Sequence, residues 1–181
     1  MKNLNNLTVV IVTFKTPEKV ILDCLNSIDP KVKIIIIENS NNFIHEKLIL
    51  SNFHNVKIRC SGENLGYGNG NNFALKLIDT DYALILNPDV ICEKNFFNNV
   101  VEVVEKADDF TIIGCQYLND KVFMPAGYFE KRKNNQFKED FKNNKIDILH
   151  KVDWVTGCSM LINLKKFENK EIFDKKIFLY F

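Results

Sequence analysis

The sequence predicts an α/β fold, with a mostly parallel central sheet and helices on both of its faces. Two observations carry this expectation. Short, β-branched apolar runs recur with amphipathic helical segments between them, the pattern of strand–helix–strand units. The strand runs are also continuously apolar and do not alternate, as strands covered on both faces should be. At 181 residues, 46% hydrophobic and 26% charged, the chain is one domain's worth of ordinary globular sequence.

Leu7–Phe14 (LTVVIVTF) is the first strand. Thr16-Pro17-Glu18 then reads as a helix N-cap, a proline at the first helical position and an early acid. The helix that follows places Val20, Ile21, Cys24, Leu25 and Ile28 on one face. Lys33–Ile37 is the second strand, Phe43–Leu50 a weaker helix and Val56–Cys60 the third strand. A glycine-rich loop leads into a helix at about Asn71–Ile78, and YALIL (Tyr82–Leu86) is the fourth strand. Asn95–Lys106 is a helix with Phe96, Phe97, Val100, Val101 and Val104 on its buried side. After Thr111 the pattern changes. TIIGCQ reads as a strand, and Tyr128–Lys151 is polar and aperiodic: a solvated loop or, functionally, a flexible acceptor-side loop. Val152–Ile162 returns to strand character.

Composition excludes several classes. A net charge of +1 and only two arginines, Arg59 and Arg132, argue against nucleic acid as a partner. The cysteines Cys24, Cys60, Cys92, Cys115 and Cys158 form no CxxC pair and point to a reducing compartment. The histidines show no metal-ligand spacing. No signal peptide is visible, and no run approaches the roughly 20 apolar residues of a membrane span, so a cytoplasmic protein is expected.

In parallel sheets ligands bind at the carboxyl ends of the strands, and this separates two acidic motifs. Asp79-Thr80-Asp81 is a literal DxD, but it lies at the amino end of the fourth strand and reads as a helix-to-strand turn. Asn87-Pro88-Asp89 lies at the carboxyl end. Pro88 ends the strand and stiffens the turn, so Asp89 is the better candidate for Mg²⁺ or Mn²⁺, whose octahedron is completed by water and substrate phosphates. The stretch SGENLGYGNGNNFAL matches neither a Rossmann fingerprint nor a P-loop. It is either a flexible helix entry or, given Asn64, Asn69, Asn71 and Asn72, a loop suited to a sugar or polar ring. Glu38 closes the second strand. It is either a solvated or capping acid or an acceptor for a nucleobase N–H, with Thr13 and Phe14 adding backbone contacts and a ring face.

The ordered segments VVIVTFK, IIIIENSNN, ENLGYGNGNNFAL, LILNPDV, WVTGCSMLI and FDKKIFLYF resemble the family 2 glycosyltransferases of the GT-A fold, rhamnosyltransferase-like members above all. The resemblance implies one GT-A domain over residues 1–181, with a nucleotide-sugar half at about 1–115 and an acceptor-side part at about 116–181. It implies a metal-assisted, inverting transfer from a UDP- or dTDP-sugar to a glycan or lipid-linked hydroxyl, with peripheral attachment at the inner face of the membrane compatible with such acceptors. Carried over, Thr13, Phe14, Glu38, Asn39, Asn64, Gly66, Asn71, Asn87 and Asp89 bind the donor and Asp89 also holds the metal. Asn87 replaces the first acid of a DxD and is at most a weak ligand. Trp154 and Gly157 fall on the acceptor side.

The family pattern continues after FLYF with an acidic pair, one member being the general base. Here Phe181 is the last residue, and Asp174 matches an acid of structural type. The expectation is therefore a truncated chain whose base lies beyond Phe181. The alternative function is a catalytically inactive nucleotide-sugar-binding domain.

Overall fold

A computed structural model describes residues 4–107, 109–119, 122–124, 126–128 and 149–179. A six-stranded sheet runs in the order β3-β2-β1-β4-β10-β5. Its members are β1 (Leu7–Thr13), β2 (Lys33–Glu38), β3 (Val56–Cys60), β4 (Tyr82–Leu86), β5 (Ile112–Gly114) and β10 (Ser159–Asn163). The first four strands pair in parallel, while β10 is antiparallel to both β4 and β5. Two short hairpins, β6 (Tyr117–Asn119) with β7 (Val122–Met124) and β8 (Gly127–Tyr128) with β9 (Trp154–Val155), stand beside it.

The helices are α1 (Glu18–Asn26), α2 (Glu46–Asn52), α3 (Gly66–Leu77) and α4 (Phe96–Lys106). Strand residues alternate between two cores. On one face Val9, Ile11, Ile34, Ile36 and Leu84 meet α1, α2 and α4 through Ile21, Cys24, Leu25, Ile49, Phe97, Val100 and Val104. On the other, Val10, Ile35, Ile37 and Ile85 meet α3 through Ala74 and Leu75, with Phe167, Ile172 and Phe173 closing over them. Ile34–Ile37 are all at most 3% exposed. At about 1.5–3 kcal/mol for each side chain buried, β2 anchors both cores at once. The edge strand β3 instead alternates between buried and exposed residues.

Several boundaries differ from the sequence-based expectation. The α1 N-cap is Pro17, with extended backbone and no side-chain cap bond, so Thr16 does not cap the helix. Glu38 belongs to β2, and α2 starts at Glu46, three residues beyond the buried Phe43. The largest difference is α3, which begins at Gly66 and not near Asn71. Gly68 and Gly70 are helical, and they are small because neighbours press on them. A Cβ on Gly68 would lie 3.0 Å from Phe173 Cβ, and one on Gly70 would lie 2.8 Å from Val12 Cγ1. The expected strand at Val152–Ile162 is split into β9 and β10. The polar segment Tyr128–Lys151 falls outside the described residues from 129 to 148.

Asp79-Thr80-Asp81 sits at the amino edge and is bound into the fold there. Lys33 Nζ reaches Asp79 (3.3 Å), the Thr8 and Thr80 hydroxyls share a hydrogen bond (2.9 Å), and Asn6 Nδ2 donates to Asp81 (2.9 Å). No helix of the described residues is long and apolar enough to cross a membrane.

Candidate functional site

At the opposite, carboxyl edge the parallel register puts Thr13 beside Glu38, and Glu38 beside Cys60. Glu38 is only 1% exposed, and its two oxygens already accept three hydrogen bonds. Thr13 Oγ1 donates to Oε2 (2.6 Å), while Ser40 Oγ (2.7 Å) and the Lys15 amide (3.2 Å) donate to Oε1. A carboxylate offers about four lone-pair sites, so little capacity remains for a ligand. This acid organises the β1 corner. Phe14, next to Thr13, turns its ring outward and is 47% exposed. Lys15 follows with φ +52°, and its ammonium lies 5.3 Å from the centre of the Phe14 ring.

Asn39 ties β2 to β1 and to α3. Its amide donates to the Thr13 carbonyl (2.7 Å) and its Nδ2 to the Gly66 carbonyl (2.9 Å). Asn64 Oδ1 accepts from the Gly66 amide (3.1 Å), and the wholly buried Asn71 donates to the Tyr67 carbonyl one turn back (2.9 Å). Asn64, Gly66 and Asn71 therefore shape the start of α3. Asn39 Oδ1 and Asn71 Oδ1 are buried with no partner among the described residues.

The outer surface of α3 is occupied by a strap, residues 172–178. Asn72 Oδ1 accepts from the Ile172 (2.9 Å) and Phe173 (3.1 Å) amides, and Asn72 Nδ2 donates to the Phe173 carbonyl (2.8 Å). Asn69 donates to the Lys175 carbonyl (3.2 Å). The Tyr67 amide donates to the Phe178 carbonyl (2.9 Å). Asn69 and Asn72 thus hold protein backbone. Asp174 accepts from the Lys176 amide (2.9 Å), a local turn bond.

Asn87-Pro88-Asp89 forms a turn closed by the Val90 amide on the Asn87 carbonyl (3.1 Å). Leu86 pairs with Ile11, two residues short of Thr13, so the turn rises beside the β1 corner and its Asp89 is exposed. Behind it stand thiols. Burial pushes Cys24 up to about 12, helped by Cys92 and Asp89, and pushes Cys92 and Cys115 up to about 11 each. They stay protonated near neutrality, so none of the three is a nucleophile.

Because β10 is antiparallel, the loop before it returns to the same edge. The Asn87 amide donates to the Cys158 carbonyl (2.9 Å), and the Tyr67 hydroxyl donates to the Gly157 carbonyl. Burial raises the Tyr67 phenol, which therefore remains a donor. Gly157 is thus joined to the start of α3 through Tyr67. Trp154 lies farther out in β9, 44% exposed. Ser40, Lys15 and Tyr67 were absent from the sequence-based set. The positive φ of Lys15 and the Tyr67 bond across 90 residues leave no local signal, whereas Ser40 lies two residues from the Glu38 it binds. A separate cavity of about 360 Å³, lined by Tyr82, Phe110, Asn163 and Lys165 among others, opens at the amino edge, away from these residues.

Comparisons with known proteins bear on the family and the fold. The family described as Glycosyl transferase family 2 matches residues 8–168. The rhamnosyltransferase WbbL of Escherichia coli (strain K12) is 25% identical over 186 aligned residues, covering 90% of this chain and 67% of that protein. The crystal structure of S. aureus TarS 1-349 in complex with UDP superposes with a TM-score of 0.67 at 13% identity, over 95% of this chain and 51% of that one. A mannosyltransferase from Pyrobaculum calidifontis, PcManGT, in complex with GDP-Man and Mn²⁺, gives 0.59 at 15% identity, over 95% and 48%. The chain spans about half the length of these solved structures. With the family's model matching residues 8–168, most of the chain, and a mostly parallel α/β sheet in place, the chain belongs to glycosyl transferase family 2.

Proposed function

We propose that this domain binds a nucleotide-diphosphate sugar, UDP- or dTDP-linked, across the ends of β1, β2 and β4 and serves its transfer to a glycan or lipid-linked hydroxyl. The observation that carries the reading is convergence. Parallel strand ends deliver an outward aromatic ring (Phe14), a polar hub (Thr13, Glu38, Asn39) and an exposed carboxylate (Asp89) to one edge of one sheet. Residues of about 1–115 form the donor half, and about 116–181, with Trp154 and Gly157, the acceptor side. Attack by the acceptor hydroxyl opposite the leaving diphosphate inverts the anomeric centre.

A divalent ion fits this donor set in one way only. Among the described residues no three His, Cys, Asp or Glu side chains gather to hold a metal. Asp89 alone, with Asn87 as at most a weak neighbour, suits Mg²⁺ or Mn²⁺ when diphosphate oxygens supply most of the shell. Such an ion, when bound, stabilises charge on the leaving diphosphate. The chain's own part is to present Phe14 to the base, keep the β1 corner rigid through Glu38, and offer Asp89 at the phosphate end. Acceptors of lipid-linked type are compatible with peripheral membrane attachment.

The test is thermal stability with UDP-, dTDP- and GDP-sugars, each with and without Mn²⁺. A ligand at about a hundred times its dissociation constant adds about 2.7 kcal/mol. A melting temperature unmoved by all of them would refute the donor-site reading.

A further inference from the structure

Lys15 has no role in the reading above, and its geometry asks for one. It follows the central strand directly and adopts φ +52°, one of two non-glycine residues with positive φ among the described residues. Such backbone is disfavoured for a side chain bearing a Cβ, and it persists only where the surroundings impose it. The imposing group here is Glu38, which takes the Lys15 amide and the Thr13 hydroxyl on its two oxygens. A buried carboxylate is thus used to hold a corner that lifts an exposed ammonium out of the β1 end.

The charges around that corner say what the ammonium is for. The first three residues after each parallel strand are 14–16, 39–41, 61–63 and 87–89. Among these twelve positions Lys15 is the one cation, against Glu63 and Asp89 as acids. No carboxylate pairs with it among the described residues. Its ammonium rests over the Phe14 ring at 5.3 Å, a weak hold at an exposed site. A diphosphate brings more negative charge than one divalent ion beside one carboxylate offsets, which favours a second cation at this edge.

We propose that Lys15 is the diphosphate-binding cation of the donor site, parked on Phe14 until a nucleoside diphosphate arrives. This rests on the donor-site reading. In the bound state the ammonium leaves the ring for the phosphate oxygens, and the freed ring face is open to the base. Lys15 then discriminates nucleoside diphosphates from nucleosides, while Phe14 responds to both.

Calorimetric binding of UDP, dTDP and GDP, and of uridine, thymidine and guanosine, tests this at about 0.05 and 0.2 M salt. The variants are Lys15→Asn, which tolerates left-handed backbone, Lys15→Arg and Lys15→Gly. For the diphosphate that binds best, Lys15→Asn is expected to weaken binding about 10-fold and flatten the salt dependence, with Lys15→Arg near wild type. Nucleoside binding should not weaken in Lys15→Asn, because the Phe14 ring face is then uncovered. Lys15→Gly should melt higher, because the strain is relieved, yet bind the diphosphate as weakly as Lys15→Asn. A purely structural corner would make that variant bind as wild type, which overturns the inference, as does an unchanged affinity in Lys15→Asn. Wild type binding none of the three diphosphates overturns the donor-site reading itself and Lys15's role with it.

Discussion

Gly66 is where a single methyl group tests the seating of the strap on α3. Its φ is +75°, and a Cβ would overlap the Phe178 carbonyl. The left-handed backbone alone costs alanine about 1–2 kcal/mol relative to a relaxed conformation. Making room also opens the bond from the Tyr67 amide to the Phe178 carbonyl, worth about 0.5–1.5 kcal/mol. Gly62 provides the control. Its φ is +86°, but the nearest heavy atom to a Cβ there, Asn41 Oδ1, is an ordinary 3.7 Å away. Gly62→Ala therefore bears the strain and not the collision, and both variants share the same gain from a stiffer unfolded chain. The expected excess for Gly66→Ala is about 0.5–1.5 kcal/mol. Urea unfolding measures it, and amide exchange should show faster exchange at Tyr67 and through 172–178 in that variant only. Equal destabilisation of the two variants, with the Tyr67 amide still protected, would refute the reasoning.

Other outcomes follow from the same geometry. Glu38→Gln keeps the size of the hub but loses the charge that three donors share, so a loss of about 1–2 kcal/mol is expected in denaturant unfolding. Asp89→Ala should leave the fold intact and remove the Mn²⁺-dependent part of nucleotide-diphosphate binding, measured by titration with and without metal. Lysine partners hold the carboxyls of Glu171 (Lys76 and Lys175), Asp79 (Lys33) and Asp109 (Lys166) below their usual range. Their folded pKa values lie below the unfolded ones, so their contribution is complete above about pH 4.3 and is lost as pH falls through the lowered values. All three are exposed, so high salt should flatten this acid limb of the stability curve. Cys60 is the exposed thiol, and Cys60→Ser should abolish the fastest phase of labelling by a disulfide reagent in the native protein.

The sheet was legible because buried parallel strands write themselves as apolar runs, and β1 to β4 fall where LTVVIVTF, KIIII, VKIRC and YALIL stand. Strand position also separated Asp89 from Asp79-Thr80-Asp81, since the end of a strand is fixed by the helix before it. The extent of α3 was not legible. Three glycines in five residues look like a loop locally, and only Phe173, Phe178 and Val12 explain them, all distant in sequence. The amides of Asn69 and Asn72 suggested a sugar-binding loop for the same reason, because their partners lie 101 to 106 residues later. Nor does any local pattern in SMLIN state that this strand runs against its neighbours or lies between β4 and β5. Glu38 was visible as an acid closing a strand. That its oxygens are engaged by Thr13, Ser40 and Lys15 depends on register and on one left-handed residue.

The insertion of β10 between β4 and β5 has a consequence for biosynthesis. Tyr82–Leu86 acquires its second hydrogen-bonded neighbour only from Ser159–Asn163, a stretch made long after it. At about 5–20 residues per second, an apolar strand with a bare edge waits several seconds on the ribosome for its partner. Unpaired apolar edges are templates for pairing with other chains. The strand that leads to Asp89 is therefore a point at which a nascent chain is exposed to misassembly, and slowing translation between β4 and β10 should lower the soluble yield.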